Sequence, residues 1–261
     1  MKAIVLAAGY ATRLYPLTEN FPKPLLPVGG KPIIDWLIED VGDAADEFIV
    51  VTNHKFAGAF EEWSAKRSER ITIIDDGTST NETRLGAVKD IQVAVASVKE
   101  RTDYFVMAGD NMLDFSLRGF IEYASKNNAS CIMCHEEHRL EALQKTAVVT
   151  IEESGFITSY EEKPKVPRGS LAVPPFYIYR AEDISRIQEA LDDGCGFDAP
   201  GSFAAWLSAK VAMYAYLMPG HRYDIGDIAS YEAVKERFNR QKQQEIILLQ
   251  ARETAKNVAW K

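Results

Sequence analysis

The sequence contains only three cysteines, which are too few and too scattered to form a disulfide framework. Basic residues are also in deficit, because 30 Lys and Arg face 38 Asp and Glu and the formal net charge is −8. A chain with that balance lacks a general positive field for a nucleic-acid backbone, so a few placed cations must bind any anionic ligand. Free thiols and this charge favour a reducing compartment. We therefore expect a cytoplasmic protein that does not bind nucleic acid.

Long apolar runs are missing as well. The apolar run within residues 1–9 is too short for a signal-peptide core with its cleavage site, and charged and proline-rich sequence follows it. No run approaches the roughly 18 to 20 residues that cross a bilayer, so we expect no membrane partner. The remaining composition, with 46% hydrophobic and 26% charged residues among 261, is typical of one large globular domain or two small ones.

The first 108 residues alternate short apolar strands with helical segments. The apolar runs are continuous, as expected for strands of a parallel sheet that helices cover on both faces. The predicted strands are residues 3–6, 48–52, 71–74 and 104–107, and the predicted helices are 33–41, 56–66 and 85–98.

Beyond Asn111 the pattern predicts antiparallel additions to this sheet, including a hairpin of residues 147–151 and 156–160. The fold class we predict is α/β: a single, three-layer, Rossmann-like domain with a mixed, mainly parallel sheet. We expect this domain to span residues 1–240 and a C-terminal helical tail to span 241–261. The tail carries four apolar residues at 246–249 that need a partner surface, so it is a candidate element for forming a homo-oligomer. The other predicted strands are 130–134, 176–179 and 212–217, and the other predicted helices are 117–126, 182–191 and one from 228. The segment 201–207 is delimited without a type.

The most informative segment follows the first predicted strand. Residues 6–18 read L-A-A-G-Y-A-T-R-L-Y-P-L-T, and P-K-P follows at 22–24. Small residues at the carboxyl end of a strand let backbone N–H groups approach phosphate oxygens, while Arg13 and Lys23 supply two spaced cations. The flanking prolines restrict the backbone around Lys23 and hold it in place. For an isolated glycine loop, a simple packing turn with surface charges would be the preferred interpretation.

The whole string, however, resembles the signature of the sugar-phosphate nucleotidylyltransferases, whose pattern is close to L-A-A-G-x-G-T-R-L-x-P-L-T followed by P-K-P. The resemblance extends over about the first 240 residues. It implies that Arg13 holds the triphosphate and that Lys23 stabilises charge at the α-phosphoryl group. Ala11 departs from the pattern, because the family usually has glycine there. By this resemblance the nucleotide-binding residues are Leu6, Ala8, Gly9, Ala11, Thr12, Arg13 and Gly86, and the catalytic ones are Arg13, Lys23 and Asp110.

Two further motifs carry carboxylates. Gly109-Asp110-Asn111 is similar to the family's G-D-N, and residues 223–226, Y-D-I-G, resemble its W-x-D-x-G. The resemblance implies that Asp110 and Asp224 share one Mg²⁺ as cofactor. The chemistry agrees, since Mg²⁺ prefers oxygen ligands and commonly uses one or two carboxylates with substrate phosphates.

The acceptor end resembles the family less closely. Residues 161–164, E-E-K-P, match a family motif, but Pro174-Pro175 replaces the usual Thr-Gly and Ala147 stands where glycine is common. Gly86 lies where relatives place a glycine against the nucleobase, and a close helix contact explains it equally well. The acceptor-binding residues implied are Ala147, Glu162, Lys163 and Val173.

The resemblance implies a Mg²⁺-dependent enzyme that transfers NMP from an NTP, which we expect to be UTP or dTTP, to a sugar 1-phosphate. The products would be an NDP-sugar and pyrophosphate. A CTP-dependent cytidylyltransferase for a small phosphorylated alcohol or phosphonate is one alternative, and a non-catalytic regulatory subunit that binds nucleotide sugars is another. A dinucleotide-binding protein is disfavoured, because residues 9–14 lack the second and third glycines of G-x-G-x-x-G.

Overall fold

The computed structural model describes residues 1–258. Its first half contains, in chain order, β1 (Lys2–Leu6), β2 (Pro27–Val28), β3 (Lys31–Pro32), α1 (Ile33–Val41), β4 (Glu47–Thr52), α2 (Ala57–Ser64), β5 (Ile71–Asp75), α3 (Ala87–Ser97), β6 (Tyr104–Ala108), β7 (Asn111–Leu113) and α4 (Arg118–Asn127). Its second half contains β8 (Ser130–Glu136), α5 (Leu140–Leu143), β9 (Ala147–Ile151), β10 (Ile157–Glu162), β11 (Leu171–Val173), β12 (Phe176–Tyr179), α6 (Ala181–Ile184), α7 (Ile187–Asp192), α8 (Gly201–Ser208), β13 (Met213–Leu217), β14 (Arg222–Asp224) and α9 (Ile228–Val258).

One mixed sheet lies at the centre of the molecule, and its strand order is β10-β9-β11-β8-β12-β6-β1-β4-β5, with β13 paired to β8. Strands β6, β1, β4 and β5 are parallel, so their carboxyl ends meet at one edge. Strand β12 runs antiparallel to both β6 and β8 and joins this half to the second half, where β9, β10 and β11 pair antiparallel. The fold class predicted from the sequence is confirmed.

Helices cover both faces of the sheet, which explains why its strands are continuous apolar runs. On β1, the fully buried Ile4 packs into the cluster formed with α3, α7 and α8, whereas Val5 packs on the other face with α1, α2 and α4. Neighbouring residues of a strand point to opposite faces, so a strand buried on both sides must be apolar at each position.

One predicted helix is interrupted. The helix predicted at 182–191 is two short helices, α6 and α7, and the break lies at Ser185, whose hydroxyl donates to the carbonyl of Glu182 at 2.7 Å. Such a side-chain bond competes with the helical backbone pattern. The predicted strand 176–179 forms as β12, and Pro174 and Pro175 separate it from β11 because neither proline can donate to a strand ladder.

Two short strand pairs were not predicted, namely β2 with β3 and β7 with β14. The helix predicted from residue 228 begins there as α9, and Tyr231, Val234 and Phe238 on it pack against the segment that follows the first strand. Of the predicted helical tail 241–261, residues 259–261 lie outside the described residues. Within residues 1–258, none of the helices combines the length and apolar character needed to cross a bilayer.

Candidate active site

The loop after β1 is held at the carboxyl edge of the sheet by hydrogen bonds from neighbouring strands. The backbone N–H of Ala7 donates to the carbonyl of Val51 at 2.8 Å, and the amide of Asn53 donates to the carbonyl of Ala8 at 2.9 Å. Gly9 is exposed, and a Cβ added to it would meet nothing within 4 Å. The sequence therefore folds into an anchored loop whose glycine faces open space.

Ala11 adopts a left-handed conformation, with φ 47° and ψ 43°. Its carbonyl accepts hydrogen bonds from the hydroxyl of Thr18 at 2.8 Å and from the backbone of Leu14 at 2.9 Å. A left-handed backbone favours glycine, since Cβ then crowds the following carbonyl. The conformation explains why glycine is the usual residue in the pattern that this loop resembles.

Arg13 and Thr12 lie on the short 3-10 turn Thr12–Leu14, and both side chains are exposed. Leu14 anchors the turn in the buried cluster that includes α9. A cavity of about 140 Å³ is lined by Arg13, Lys23 and Asp110, together with Leu6, Ala7, Gly9, Ala11, Leu14, Pro24, Ile225 and Gly226. The structure thus brings six of the predicted site residues to one cavity.

Lys23 and Asp110 form an ion pair at this cavity. The Nζ of Lys23 lies 2.7 Å from Oδ2 of Asp110, and the Lys23 side chain is only 8% exposed, against 36% for Asp110. Asp110 also accepts a hydrogen bond at Oδ1 from the amide of Asn111 at 2.9 Å. Arg222 donates to the amide oxygen of Asn111 at 2.8 Å. The side chains of Lys23, Asp110, Asn111 and Arg222 therefore form one continuous network of polar contacts. This network orients the Asp110 carboxylate.

Asp224 reaches the same place through the pairing of β7 with β14. In the antiparallel register Asp224 lies opposite Asn111, which is the residue after Asp110. The Asp224 side chain is 62% exposed. Arg222 lies 3.7 Å from its Oδ1. Asp224 lines a different, larger cavity of about 980 Å³, whose wall includes Arg222, whereas the next residue, Ile225, lines the Arg13 cavity.

These two carboxylates fit a Mg²⁺ site that substrate phosphates would complete. Both are partly exposed. Asp224 is the last residue of the β7–β14 ladder, and Asp110 directly precedes this ladder and lines the cavity that Arg13 also lines. Among residues 1–258 no group of three or more metal-ligating side chains was found. A pair suffices for Mg²⁺, which keeps water and phosphate oxygens as its remaining ligands.

The predicted acceptor-binding residues form a row across three strands. Ala147 on β9 pairs with Glu162 on β10 and with Val173 on β11. Lys163 follows Glu162 directly; its φ is 48°, its side chain is exposed, and its N–H donates to the carbonyl of Thr146 at 3.2 Å. Burial raises the pKa of Glu162, and the charge of Lys163 partly opposes that shift.

Pro174 and Pro175 follow Val173 at the end of this row and lie beside the end of β6, directly before the G-D-N motif. The carbonyl of Pro175 accepts a hydrogen bond from the backbone of Ala108 at 3.1 Å, and that of Pro174 accepts one from Phe176 at 2.8 Å. The prolines therefore lie close to the row of predicted acceptor-binding residues.

Gly86 precedes α3 with a φ of 91°, and a Cβ on it would lie 2.6 Å from the carbonyl oxygen of Phe197. The carbonyls of Phe197 and Asp198 accept hydrogen bonds from Val88 at 2.9 Å and Ala87 at 3.2 Å, so they cap the helix. A close helix contact therefore explains this glycine. Its predicted contact with a nucleobase stays a prediction.

Several residues that shape the site had no role predicted from the sequence. Asn111, to which the G-D-N motif assigned no role of its own, and Arg222, which directly precedes the Y-D-I-G motif, link Asp110 to the strand of Asp224. The sequence also gave no role to Tyr160 or Gly201. A Cβ added to Gly201 would lie 2.5 Å from Oε2 of Glu162 and 2.9 Å from the hydroxyl of Tyr160. Only the pairing of distant segments could identify them.

The chain is similar to known proteins in sequence and in fold. The model of the nucleotidyl transferase family matches residues 2–241. A UTP–glucose-1-phosphate uridylyltransferase of Synechocystis is 24% identical over 88% of the chain and 61% of its own length. A glucose-1-phosphate adenylyltransferase of Fervidobacterium nodosum is 28% identical over 87% of the chain and 59% of its own length. The chain thus spans about three fifths of these two relatives.

The fold is also similar to that of a solved UDP-glucose pyrophosphorylase complexed with UDP-glucose. That structure is 22% identical in sequence and superposes with a TM-score of 0.77 over 92% of this chain and 98% of that one. At this level of identity the similarity establishes a common fold.

Proposed function

The chain belongs to the nucleotidyl transferase family, and from that premise we propose that it transfers NMP from an NTP to a sugar 1-phosphate. The products are an NDP-sugar and pyrophosphate. The observation that carries this proposal is the meeting of Arg13, Lys23 and Asp110 at one cavity beside an anchored loop. Two cations and a carboxylate at the carboxyl edge of a parallel sheet suit a reaction that transfers a phosphoryl-type group.

In this reaction an oxygen of the acceptor phosphate attacks the α-phosphorus in line, and pyrophosphate leaves. The protein forms no covalent bond to the nucleotide, so it acts by positioning and by neutralising charge. Arg13 binds the β- and γ-phosphates and the departing pyrophosphate. Lys23, held in place between two prolines, stabilises the charge that develops at the α-phosphoryl group. Lys163 orients the incoming phosphate.

Asp110 and Asp224 would hold Mg²⁺, which would supply neutralisation of phosphate charge during the transfer. Asn111 and Lys23 each occupy one oxygen of Asp110 and so fix the direction of its lone pairs. Arg222 in turn holds Asn111. Through these contacts the chain presents the carboxylate in one orientation.

For the base we propose a pyrimidine, UTP or dTTP. The Synechocystis relative is named for UTP, which supports this choice, whereas the Fervidobacterium relative is named for adenylyl transfer. The nucleotide lies against the loop residues Leu6, Ala8, Gly9, Ala11 and Thr12, with Gly86 beside the base.

One observation favours a second candidate function. Pro174 and Pro175 lie beside the acceptor row and bring no N–H donor there, and Ala147 carries a methyl group within it. A pocket altered in this way suits a CTP-dependent cytidylyltransferase whose acceptor is a small phosphorylated alcohol or phosphonate.

The test is a matrix of UTP, dTTP, CTP, ATP and GTP against hexose 1-phosphates, phosphocholine and 2-aminoethylphosphonate, read out as released pyrophosphate. We expect the highest kcat/KM with a pyrimidine nucleotide and a sugar 1-phosphate, and loss of release in Lys23→Ala. Activity only with CTP and phosphocholine or the phosphonate would establish the second candidate. Binding of nucleotide sugars without release for any pair would contradict catalysis and favour a regulatory subunit.

For the chain as a whole, we propose a catalytic domain of residues 1–240 that acts in the cytoplasm, and a helical tail that joins copies. The domain includes Tyr231, Val234 and Phe238, which pack on the core, so a chain truncated after residue 240 keeps these contacts. We expect the truncated chain to fold and to elute at a smaller assembly size than the full chain in light scattering. Equal sizes would contradict an oligomer formed through the tail.

A further inference from the structure

The larger of the two cavities that meet at β14 lies outside the proposed phosphoryl-transfer centre. Its volume is about 980 Å³, and Asp224 lines it, whereas the next residue, Ile225, lines the cavity of Arg13 and Lys23. A cavity of this volume can hold a small organic molecule. The reacting phosphate of the acceptor must meet the NTP beside Arg13 and Lys23, so the rest of the acceptor extends past Asp224 into the larger cavity.

One face of β8 and β11 contributes to the wall of this larger cavity. Ala172 on β11 and His135 on β8 are paired in the antiparallel register, and both line the cavity. Their neighbours Val173 and Cys134 pack into the cluster on the other face, which also contains Ala147. Because neighbouring residues of a strand point to opposite faces, the cavity lies away from the side chains of the predicted acceptor row.

Arg222 places a guanidinium group in the cavity wall beside Asp224. Its side chain is 22% exposed, and its Nη1 lies 2.8 Å from Oδ1 of Asn111 and 3.7 Å from Oδ1 of Asp224. In the part of the chain that the structure describes, Nε and Nη2 have no such partner, so these donors of the planar fork are available to an anion. The pattern W-x-D-x-G has tryptophan two residues before the aspartate, where this chain has Arg222. The departure introduces a positive charge into the wall.

Two more donors of the cavity wall lack a partner within residues 1–258. Nδ1 of His135 is buried and makes no hydrogen bond there. Lys145, which is exposed just after α5, forms no ion pair with the same residues. Burial, together with the charge of Arg222, lowers the pKa of His135, so its ring is neutral at neutral pH. A neutral imidazole still carries one N–H, which Nδ1 can present to an anion.

The carboxylates of the cavity wall are already engaged or reach into the solvent. The backbone N–H and the guanidinium group of Arg139 donate three hydrogen bonds to Glu137, and these bonds lower the pKa of Glu137 to about 2. The side chain of Glu136 is 66% exposed. Asp224 belongs to the proposed Mg²⁺ site. The wall therefore offers its uncompensated positive charges to a ligand.

We propose that Arg222, Lys145 and His135 bind a second anionic group of the acceptor, so that the acceptor is a sugar 1-phosphate with an additional carboxylate or phosphate. The inference rests on the proposed function and narrows its acceptor class. The planar fork of Arg222 matches two oxygens of such a group, and Lys145 adds a point charge. A neutral hexose leaves these charges unmatched, and the ammonium group of phosphocholine or 2-aminoethylphosphonate meets like charges.

The test compares acceptors that differ only in the proposed second group. They are hexose 1-phosphates, the matching hexuronic acid 1-phosphates and hexose 1,6-bisphosphates, and the 6-amino-6-deoxy analogues, each with the best NTP and Mg²⁺. Pyrophosphate release measures kcat/KM. We expect an acidic acceptor to exceed its neutral parent by about tenfold to a hundredfold, mainly through a lower acceptor KM, and the amino analogue to fall below the parent.

Two variants change the larger cavity without touching the Arg13 site. Lys145→Ala removes one cation and should lower the ratio of kcat/KM for the acidic over the neutral acceptor by about tenfold, and Lys145→Arg should restore that ratio. Ala142→Trp fills the cavity from α5 and should raise the KM for the acidic acceptor, with the KM for the NTP constant. The matched controls are Lys126→Ala, at an exposed lysine of α4, and Ala233→Trp, at an exposed alanine of α9, and both should behave as wild type.

The inference is overturned if acidic acceptors are no better than neutral ones, or if Lys145→Ala lowers kcat/KM equally for both. Inorganic phosphate is the probe for a free anion. If phosphate binding in calorimetry weakens in Lys145→Ala while no acidic acceptor is preferred, the cavity binds a free anion, and the inference about the acceptor is wrong.

Failure of this inference differs from failure of the proposed function. Pyrophosphate release with neutral acceptors only overturns recognition of a second anionic group but leaves nucleotidyl transfer intact. Absence of release with every acceptor overturns the proposed function. Calorimetry of a hexuronic acid 1-phosphate and its neutral parent on wild type and Lys145→Ala then decides the inference by itself. Tighter binding of the acid that Lys145→Ala weakens supports it, and equal affinity or no binding contradicts it.

Discussion

The Nζ of Lys23 lies 2.7 Å from Oδ2 of Asp110, although 87 residues separate the two in the chain. Lys23 is buried, whereas Asp110 reaches the solvent. The ion pair therefore keeps the Lys23 ammonium group shielded from solvent in the wall of the cavity that Arg13 also lines. A charge placed in advance of the reaction costs no reorganisation when the transition state forms.

The first prediction concerns Lys23 itself. Lys23→Ala should lower kcat by on the order of 10² or more, because it deletes a preorganised charge near the α-phosphoryl group. Steady-state kinetics with pyrophosphate detection measures this. Lys31→Ala is the matched control, since Lys31 is another lysine beside a proline in the same segment and pairs with Glu39. A rise in KM alone would mean that Lys23 binds ground state and transition state equally.

The second prediction concerns the two carboxylates. Asp110→Asn and Asp224→Asn should each lose most activity and raise the Mg²⁺ concentration needed for half-maximal rate, because each removes an anionic ligand. Both variants should keep the wild-type circular dichroism spectrum. Asp43→Asn, an exposed carboxylate paired with Arg118, serves as the control. Full activity in excess EDTA would refute the metal site.

The third prediction separates the two phosphate sites. Lys163→Ala should raise the KM for the acceptor more than the KM for the NTP, because Lys163 follows the acceptor row and lies outside the residues that line the Arg13 cavity. Lys165→Ala, two residues further along the chain, should leave both constants unchanged. Equal effects of Lys163→Ala on both substrates would contradict separate sites.

The fourth prediction uses the strained position in the loop. Ala11→Gly should raise the free energy of unfolding by up to about 1 kcal/mol, since glycine tolerates the left-handed backbone better than alanine does. Chemical denaturation at one pH measures the change. Asn128→Gly provides a comparison at another left-handed position, where asparagine is already tolerated and a smaller gain follows. A loss of stability in Ala11→Gly would show that the wild-type methyl group makes favourable contacts.

The fifth prediction concerns pH. Burial, together with the nearby charge of Asp76, raises the pKa of Asp90 to about 7, and Oδ1 of Asp90 has no partner in the described residues. The unfolded chain releases this proton near pH 4, so between about pH 4 and pH 7 the folded state binds more protons and its stability falls as the pH rises. Above about pH 7 the contribution of Asp90 to the free energy of unfolding no longer changes with pH.

Asp90→Asn should remove this dependence and be more stable than wild type at pH 8, because an amide carries no buried charge. Urea denaturation at pH 5 and at pH 8 measures both differences. The same slope in wild type and variant would show that another group titrates. Glu153→Gln, an exposed carboxylate, is the control.

Much of the fold follows from local pattern. The continuous apolar runs predicted β1, β4 and β6 within one residue at each end, and α1 began and ended at the predicted residues. These elements are long and apolar, so local sequence and burial favour the same structure. The short ladder of β7 and β14 has three residues in each strand, which is too little pattern for a sequence to reveal.

By itself the sequence determined the α/β class, the loop after the first strand and the ionisable residues predicted for the site, because these depend on residue type and on neighbours in the chain. Only the tertiary structure decided which residues come into contact. Lys23 and Asp110, and Gly201 and Glu162, are brought together by sheet pairing and helix packing between distant segments. Such contacts depend on the register and position of whole elements, and no local periodicity encodes them.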